Sequence, residues 1–75
     1  MAVDEQQLRQ LCRKLQRLFA EDDPRAGKIF DEQAELLRSA FTNDYAALAA
    51  AVRSFDFEQA QALLRAAAGQ RQLML

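Results

Sequence analysis

Apolar residues recur at intervals of three and four over the first twenty positions of the chain. The residues with this spacing are Leu8, Leu11, Cys12, Leu15, Leu18 and Phe19. Because an α-helix completes a turn in about 3.6 residues, they form one stripe along a helix. The pattern predicts an amphipathic helix over residues 4–20, with Asp4 and Glu5 beside the positive end of its dipole.

A second apolar stripe follows an acidic turn. Its larger members are Ile29, Phe30, Leu36, Leu37 and Phe41. Pro24 suits the first helical position, and Asp23 can cap the free amides of the first helical turn. The pattern predicts a second helix over residues 24–41, in which Gly27 allows another backbone to approach closely.

A short, alanine-rich helix is predicted over residues 44–54, with Asn43 or Asp44 as its cap. Its large apolar residues are Tyr45, Leu48, Val52 and Phe55. The alanines between them leave the rest of this helix slim, which offers a surface for packing against a second copy.

A fourth helix is predicted over residues 57–68. Asp56 is placed to cap it, and Gln59 lies three residues later, where a capping-box partner belongs. Gly69 is the expected residue just past the helix end, since glycine accepts the left-handed conformation found there. Residues 69–75 form a tail whose last three residues, Leu73, Met74 and Leu75, are a second candidate surface for packing against another copy.

The connections between these helices are short, and only two glycines and one proline interrupt the chain. Short connections favour neighbouring helices that run in opposite directions. We therefore expect an all-α fold, a small antiparallel up-and-down bundle of about four helices, in a single domain over residues 1–75. A core this small leaves self-association, as a homodimer, a second expectation.

The charge balance argues against nucleic acid as a partner. Ten basic and eleven acidic residues give a formal net charge of −1, which offers no overall attraction to phosphate backbones. No apolar run approaches the length of a membrane span, and the N-terminal residues lack the features of a signal peptide. The chain has a single cysteine, Cys12, so an internal disulfide is not possible, which fits a cytoplasmic location. Because Cys12 lies in the apolar stripe of the first helix, we expect it to be a buried small hydrophobic residue.

The chain contains no histidine. Ser39, Thr42 and Ser54 therefore have no histidine base, which excludes hydrolase triads of the usual kind. Its carboxylates are explained by helix caps and solvated helix faces. We expect no enzyme activity, no catalytic residues, no cofactor and no metal.

Two features suggest contact with a protein. Arg9, Arg13 and Arg17 recur every four residues and predict a basic ridge. The ridge is either an ordinary solvated face, which can pair with Glu5 or with acidic groups on a neighbouring helix, or a surface that speeds encounter with an acidic protein. Phe55 and Phe57 are two residues apart and cannot share one helix face. One of them is expected to be partly exposed, and Phe57 is the candidate apolar anchor.

The chain resembles histidine phosphotransfer domains, and more closely the degenerate helical modules that follow a receiver at the C-terminal end of bacterial hybrid sensor histidine kinases. The resemblance rests on residues 15–26 (LQRLFAEDDPRA) and 48–64 (LAAAVRSFDFEQAQALL). An active domain would present a histidine on an exposed helix face, followed by Lys and a small residue. Residues 33–39 (QAELLRS) stand there instead.

The resemblance implies a bundle surface that docks a partner domain and does not carry a phosphoryl group. The expected function is a non-catalytic interaction module in two-component signalling, which docks a receiver or histidine kinase domain, either in the same parent chain or in a separate protein. The alternatives are a homo-oligomerisation domain and an adaptor that binds an amphipathic helix in a groove.

Overall fold

A computed structural model describes residues 4–73, which form five α-helices and contain no strand. The helices are α1 (Glu5–Ala20), α2 (Arg25–Glu32), α3 (Ala34–Ala40), α4 (Tyr45–Arg53) and α5 (Phe57–Gln70). The all-α prediction is confirmed, and the count of about four helices is wrong. Met74 and Leu75 of the predicted tail lie outside the described residues.

The difference in count comes from Gln33, which separates α2 from α3. Its backbone leaves the helical region at φ −106° and ψ 21°. Its amide still donates to the Ile29 carbonyl at 3.1 Å, and its carbonyl accepts from the Leu37 amide at 3.0 Å. No side chain of residues 31–35 is buried. Helices in proteins are stabilised mainly by tertiary packing, and this turn lacks buried side chains that would stabilise a continuous helix.

Helices α1 and α5 run in opposite directions. Near the end of α1, Phe19 stacks on Phe57 at the start of α5, with ring centroids 5.7 Å apart. At the other end, Arg71 just past α5 forms an ion pair with Glu5 in the first turn of α1. Contacts at both ends place the two helices side by side along their length.

Helices α2 and α4 also run in opposite directions. Phe30 near the end of α2 stacks on Tyr45 at the start of α4, at 5.4 Å between centroids. A Cβ placed on Gly27, near the start of α2, would lie 3.9 Å from Val52 Cγ1 near the end of α4. The short α3 lies against α1 and α2 and interrupts a simple up-and-down order of four helices.

The core draws on every helix. Its largest fully buried side chains are Phe19, Phe30, Leu8, Leu15, Leu37, Leu48, Leu64 and Cys12. Across residues 4–73 no polar or charged residue is buried. The predicted stripe of α1 is buried at all six positions, so this face joins the other helices and the opposite face is left for contacts outside the fold.

Three helix ends share a geometry that usually calls for glycine. After α1, the Asp23 amide donates to the Leu18 carbonyl and the Asp22 amide to the Phe19 carbonyl. This is the Schellman arrangement, which places Asp22 in the left-handed region at φ 53°. The same bonds follow α4 and α5, with Phe55 at φ 59° and Gln72 at φ 61°.

The predicted role of Gly69 is therefore wrong. Gly69 lies within α5, which extends to Gln70, and Gln72 takes the left-handed position instead. Leu73 then packs partly buried against the core. The contact of the chain with the core thus continues beyond the predicted helix end at residue 68.

The predicted cap at Asp56 is present, and Asp4 also caps the start of α1. The Asp4 carboxylate accepts from the Gln6 and Gln7 amides at 3.0 and 3.2 Å, and the Asp56 carboxylate accepts from the Gln59 amide at 3.2 Å. The Asp56 amide donates to the carbonyl of Ala51. That amide is thus committed to the end of α4 and is not available for a reciprocal capping box.

Candidate protein-binding surfaces

The basic ridge of Arg9, Arg13 and Arg17 lies on the solvent side of α1. All three side chains are exposed, opposite the buried stripe of the same helix. Within residues 4–73 the two ion pairs are Arg25 with Asp23 and Arg71 with Glu5, and neither involves the ridge. The three positive charges are therefore held on a packed helix without an ion pair to any described residue.

Arg71 explains why Glu5 does not pair with the ridge. Its guanidinium contacts the Glu5 carboxylate and also donates to the Ala40 carbonyl at 3.2 Å. The carboxylate one turn before Arg9 is thereby drawn toward α5. The predicted pairing of the ridge with Glu5 is wrong, because a residue distant in sequence occupies Glu5.

A shallow groove follows the seam between α1 and α2, and we call it the α1–α2 groove. Its two halves share Lys14 and Ile29. One half has a volume of about 330 Å³ and is lined also by Arg17, Leu18, Glu21 and Arg25. The other has about 250 Å³ and is lined also by Gln7, Gln10, Leu11, Glu32 and Gln33. Basic side chains thus gather at one end of the groove, beside partly exposed Ile29.

The expected apolar anchor, Phe57, is buried. Only 6% of Phe57 is exposed, because its ring stacks on Phe19 where α5 begins. Phe55 is 73% exposed and is the one large hydrophobic residue exposed in the described part of the chain. The expectation that one of the two is exposed is confirmed, but the residue a partner can reach is Phe55.

The exposure of Phe55 follows from its backbone. Its amide is bonded to the Val52 carbonyl at 3.1 Å and its φ is 59°. A residue with a Cβ loses about 1–2 kcal/mol in this conformation relative to the right-handed one. Its ring meets the Phe57 ring edge-on, at 6.1 Å and 77°. A bulky residue is thus held in a glycine-type position with its ring turned to solvent.

Cys12 is a core residue, as expected. It is fully buried, and burial raises the pKa of its thiol to about 11, partly opposed by the positive charge of Arg71. Since the thiolate is the reactive form, this thiol is protected from chemistry at neutral pH.

The acidic turn after α1 is explained by structure. Asp23 accepts the Arg25 backbone amide at 2.9 Å and pairs with the Arg25 guanidinium, which lowers the pKa of the Asp23 carboxyl. Among residues 4–73 no three side chains of metal-ligating type converge on a point that could hold an ion. None of the described helices has the length and apolar character needed to cross a bilayer.

Comparison of the chain with protein-family models, with curated proteins and with solved structures gives no match.

The sequence predicts the ridge but neither the groove nor which of Phe55 and Phe57 is exposed. The ridge lies on one helix, so its spacing is visible in the sequence. The groove requires Ile29 of α2 to lie beside Lys14 of α1, and no local pattern sets that pairing. The one available signal for Phe55 was that it precedes the cap Asp56, where the chain must turn between two helices.

Proposed function

We propose that this chain is a non-enzymatic interaction module of bacterial two-component signalling in the cytoplasm. It docks a receiver or histidine kinase domain through the basic ridge and transfers no phosphoryl group. The absence of histidine from the sequence removes the phosphoacceptor. The resemblance of residues 15–26 and 48–64 to the helical modules of hybrid sensor kinases supports the choice of partner.

The observation that carries the proposal is the basic ridge, three exposed arginines that have no ion-pair partner among the described residues. Such charges raise the rate of encounter with an acidic protein and fix the orientation of the complex. A receiver's phosphorylation pocket is an acidic surface of this kind. Phe55, the exposed aromatic, supplies a second contact of the type that dominates protein interfaces.

The experiment is an amide-resolved NMR titration of the chain with receiver domains, unphosphorylated and activated. We expect saturable shifts on the exposed face of α1 and around Phe55. A double variant, Arg13→Glu with Arg17→Glu, should weaken binding by about tenfold or more at low salt. Low salt is needed because exposed charges at the rim of an interface attract a partner over distances at which salt would screen them.

The matched control is Arg53→Glu with Arg65→Glu, which makes the same charge change on α4 and α5. Arg53 and Arg17 both lie in the last turn of a helix, and all four side chains are exposed. The control should bind nearly as well as the unmodified chain. Equal affinity for the two double variants would reject the ridge as the docking surface.

Self-association is the second candidate function. It is favoured by Ala46, Ala47 and Ala50, which are exposed on α4 and would let another helix approach closely. Sedimentation equilibrium over a wide concentration range tests it. A mass that stays monomeric at the highest concentration would reject it, while an Ala47→Glu variant that abolishes a dimer would support it.

A further inference from the structure

The α1–α2 groove is the concave part of the basic surface, and its position was not evident from either helix alone. We propose that this groove binds an acidic segment of the protein partner that carries an apolar side chain. The inference rests on the proposed function, because it names the part of the partner that is recognised and the residues that recognise it.

The charges at the basic end of the groove favour an acidic occupant. Arg25 is already neutralised by Asp23, with its Nε 3.1 Å from both carboxylate oxygens and its Nη2 2.6 Å from one of them. Lys14 and Arg17 form no ion pair with any described residue, and Glu21 is the acidic residue at this end. Two available cations against one carboxylate leave this end positive.

The middle of the groove supplies an apolar contact. Ile29 is only partly buried and belongs to both halves of the groove, while Leu18 beside it is 6% exposed. Covering exposed apolar surface contributes about 25 cal/mol per Å². A segment with acidic residues on one side and a leucine-like residue at its centre would satisfy both features at once.

The other half of the groove argues for a protein segment over a nucleic acid. Its lining is mostly neutral, from Gln7, Gln10 and Gln33, and it includes Glu32. A phosphate backbone carries a charge at every nucleotide and would meet Glu32 at one end and Glu21 at the other. A peptide can place its carboxylates beside Lys14 and Arg17 alone.

The test is a titration of the isotopically labelled full chain with a short amphipathic peptide of Glu, Leu and Ala. A peptide with every Glu replaced by Lys is the matched control. The acidic peptide alone should shift the amides of Lys14, Arg17, Leu18 and Ile29 in a saturable way. The variants Lys14→Glu and Ile29→Gln should each weaken binding about tenfold, whereas Arg65→Glu on α5 should change it less than about twofold.

Several results would overturn the inference: equal binding of the two peptides, no saturable binding, shifts centred outside the groove, or unchanged affinity of the Lys14→Glu variant. Tighter binding of a single-stranded oligothymidine would overturn it too. Lys14 is exposed, so its variant remains informative even if Ile29→Gln unfolds. If a receiver domain binds the ridge but the acidic peptide does not bind, the proposal for the groove is refuted and the proposed function is not. If the receiver does not bind either, the proposed function fails as well.

Discussion

Arg71 and Glu5 form an ion pair across 66 positions of sequence and join the end of the last helix to the start of the first. Arg71 also donates to the Ala40 carbonyl at 3.2 Å, so one side chain links α1, α5 and the end of α3. The two bonds differ in surroundings, since the Glu5 side chain is 59% exposed whereas Ala40 is buried.

This difference predicts unequal effects of removing the two partners. Arg71→Ala should lower the free energy of unfolding by about 1–2 kcal/mol, because a carbonyl loses its donor and the arginine stem no longer covers the core. Glu5→Gln should lower it by less than about 0.5 kcal/mol, since exposed ion pairs contribute little. Urea unfolding followed by far-UV circular dichroism measures both. Equal losses would mean that the ion pair, not the carbonyl bond and the packing, anchors Arg71.

Truncation of Phe55 and of Phe57 should change the stability of the fold by very different amounts. Phe55→Gly relieves the left-handed backbone, a gain of about 1 kcal/mol, and loses an edge-on aromatic contact of about 0.5–1.5 kcal/mol. Stability should thus change by no more than about 1 kcal/mol. Phe57→Ala leaves a cavity beside Phe19 and should cost about 3–5 kcal/mol. Phe57→Leu provides a milder comparison if the alanine variant unfolds. A large loss for Phe55→Gly would show that its ring is packed in solution.

The two glycines provide a paired test of helix propensity. Both lie within helices, and neither has a positive φ. A Cβ on Gly27 meets Val52 at an ordinary 3.9 Å, and one on Gly69 meets nothing within 4 Å. Gly27→Ala should therefore raise the free energy of unfolding by about 0.5–1 kcal/mol. Gly69→Ala, close to a helix end, should raise it by less. Thermal unfolding of both variants checks this, and destabilisation by Gly27→Ala would show closer packing of α2 on α4 than the 3.9 Å separation indicates.

Cys12 predicts a loss of stability in alkali. Burial raises the pKa of its thiol from 9.0 to about 11, so the folded chain holds this proton more tightly than the unfolded chain. The stabilisation is complete below pH 9 and is lost as the pH rises to 11, about 2–3 kcal/mol in all. The measurement is the free energy of unfolding against pH for the unmodified chain and for Cys12→Ala. The difference between the two should narrow above pH 9, and a constant difference would contradict a buried thiol.

Much of the fold was visible in the local pattern. The stripe of α1, the cap at Asp56 and the buried Cys12 depend on residues within a few positions of one another, so spacing and side-chain chemistry suffice. The break at Gln33 was not visible, because the apolar pattern continues on both sides and the helix ends only for lack of packing at residues 31–35. The sequence favours Phe57 as the exposed aromatic residue, whereas the structure exposes Phe55. The local pattern cannot show this, because Phe57 is buried by its contact with Phe19, which is distant in the sequence.

The sequence by itself determined that the chain is helical, that it contains no histidine, and that one helix carries arginines opposite its apolar stripe. These properties follow from composition and from the periodicity of single helices. The tertiary structure decided which charges remain available and where a concave surface forms. Arg71 reaches Glu5 and leaves the ridge without that partner. Helix α2 lies against α1, so Ile29 and Lys14 line the same groove. Both depend on contacts between residues distant in the chain, whose pairing no local pattern records.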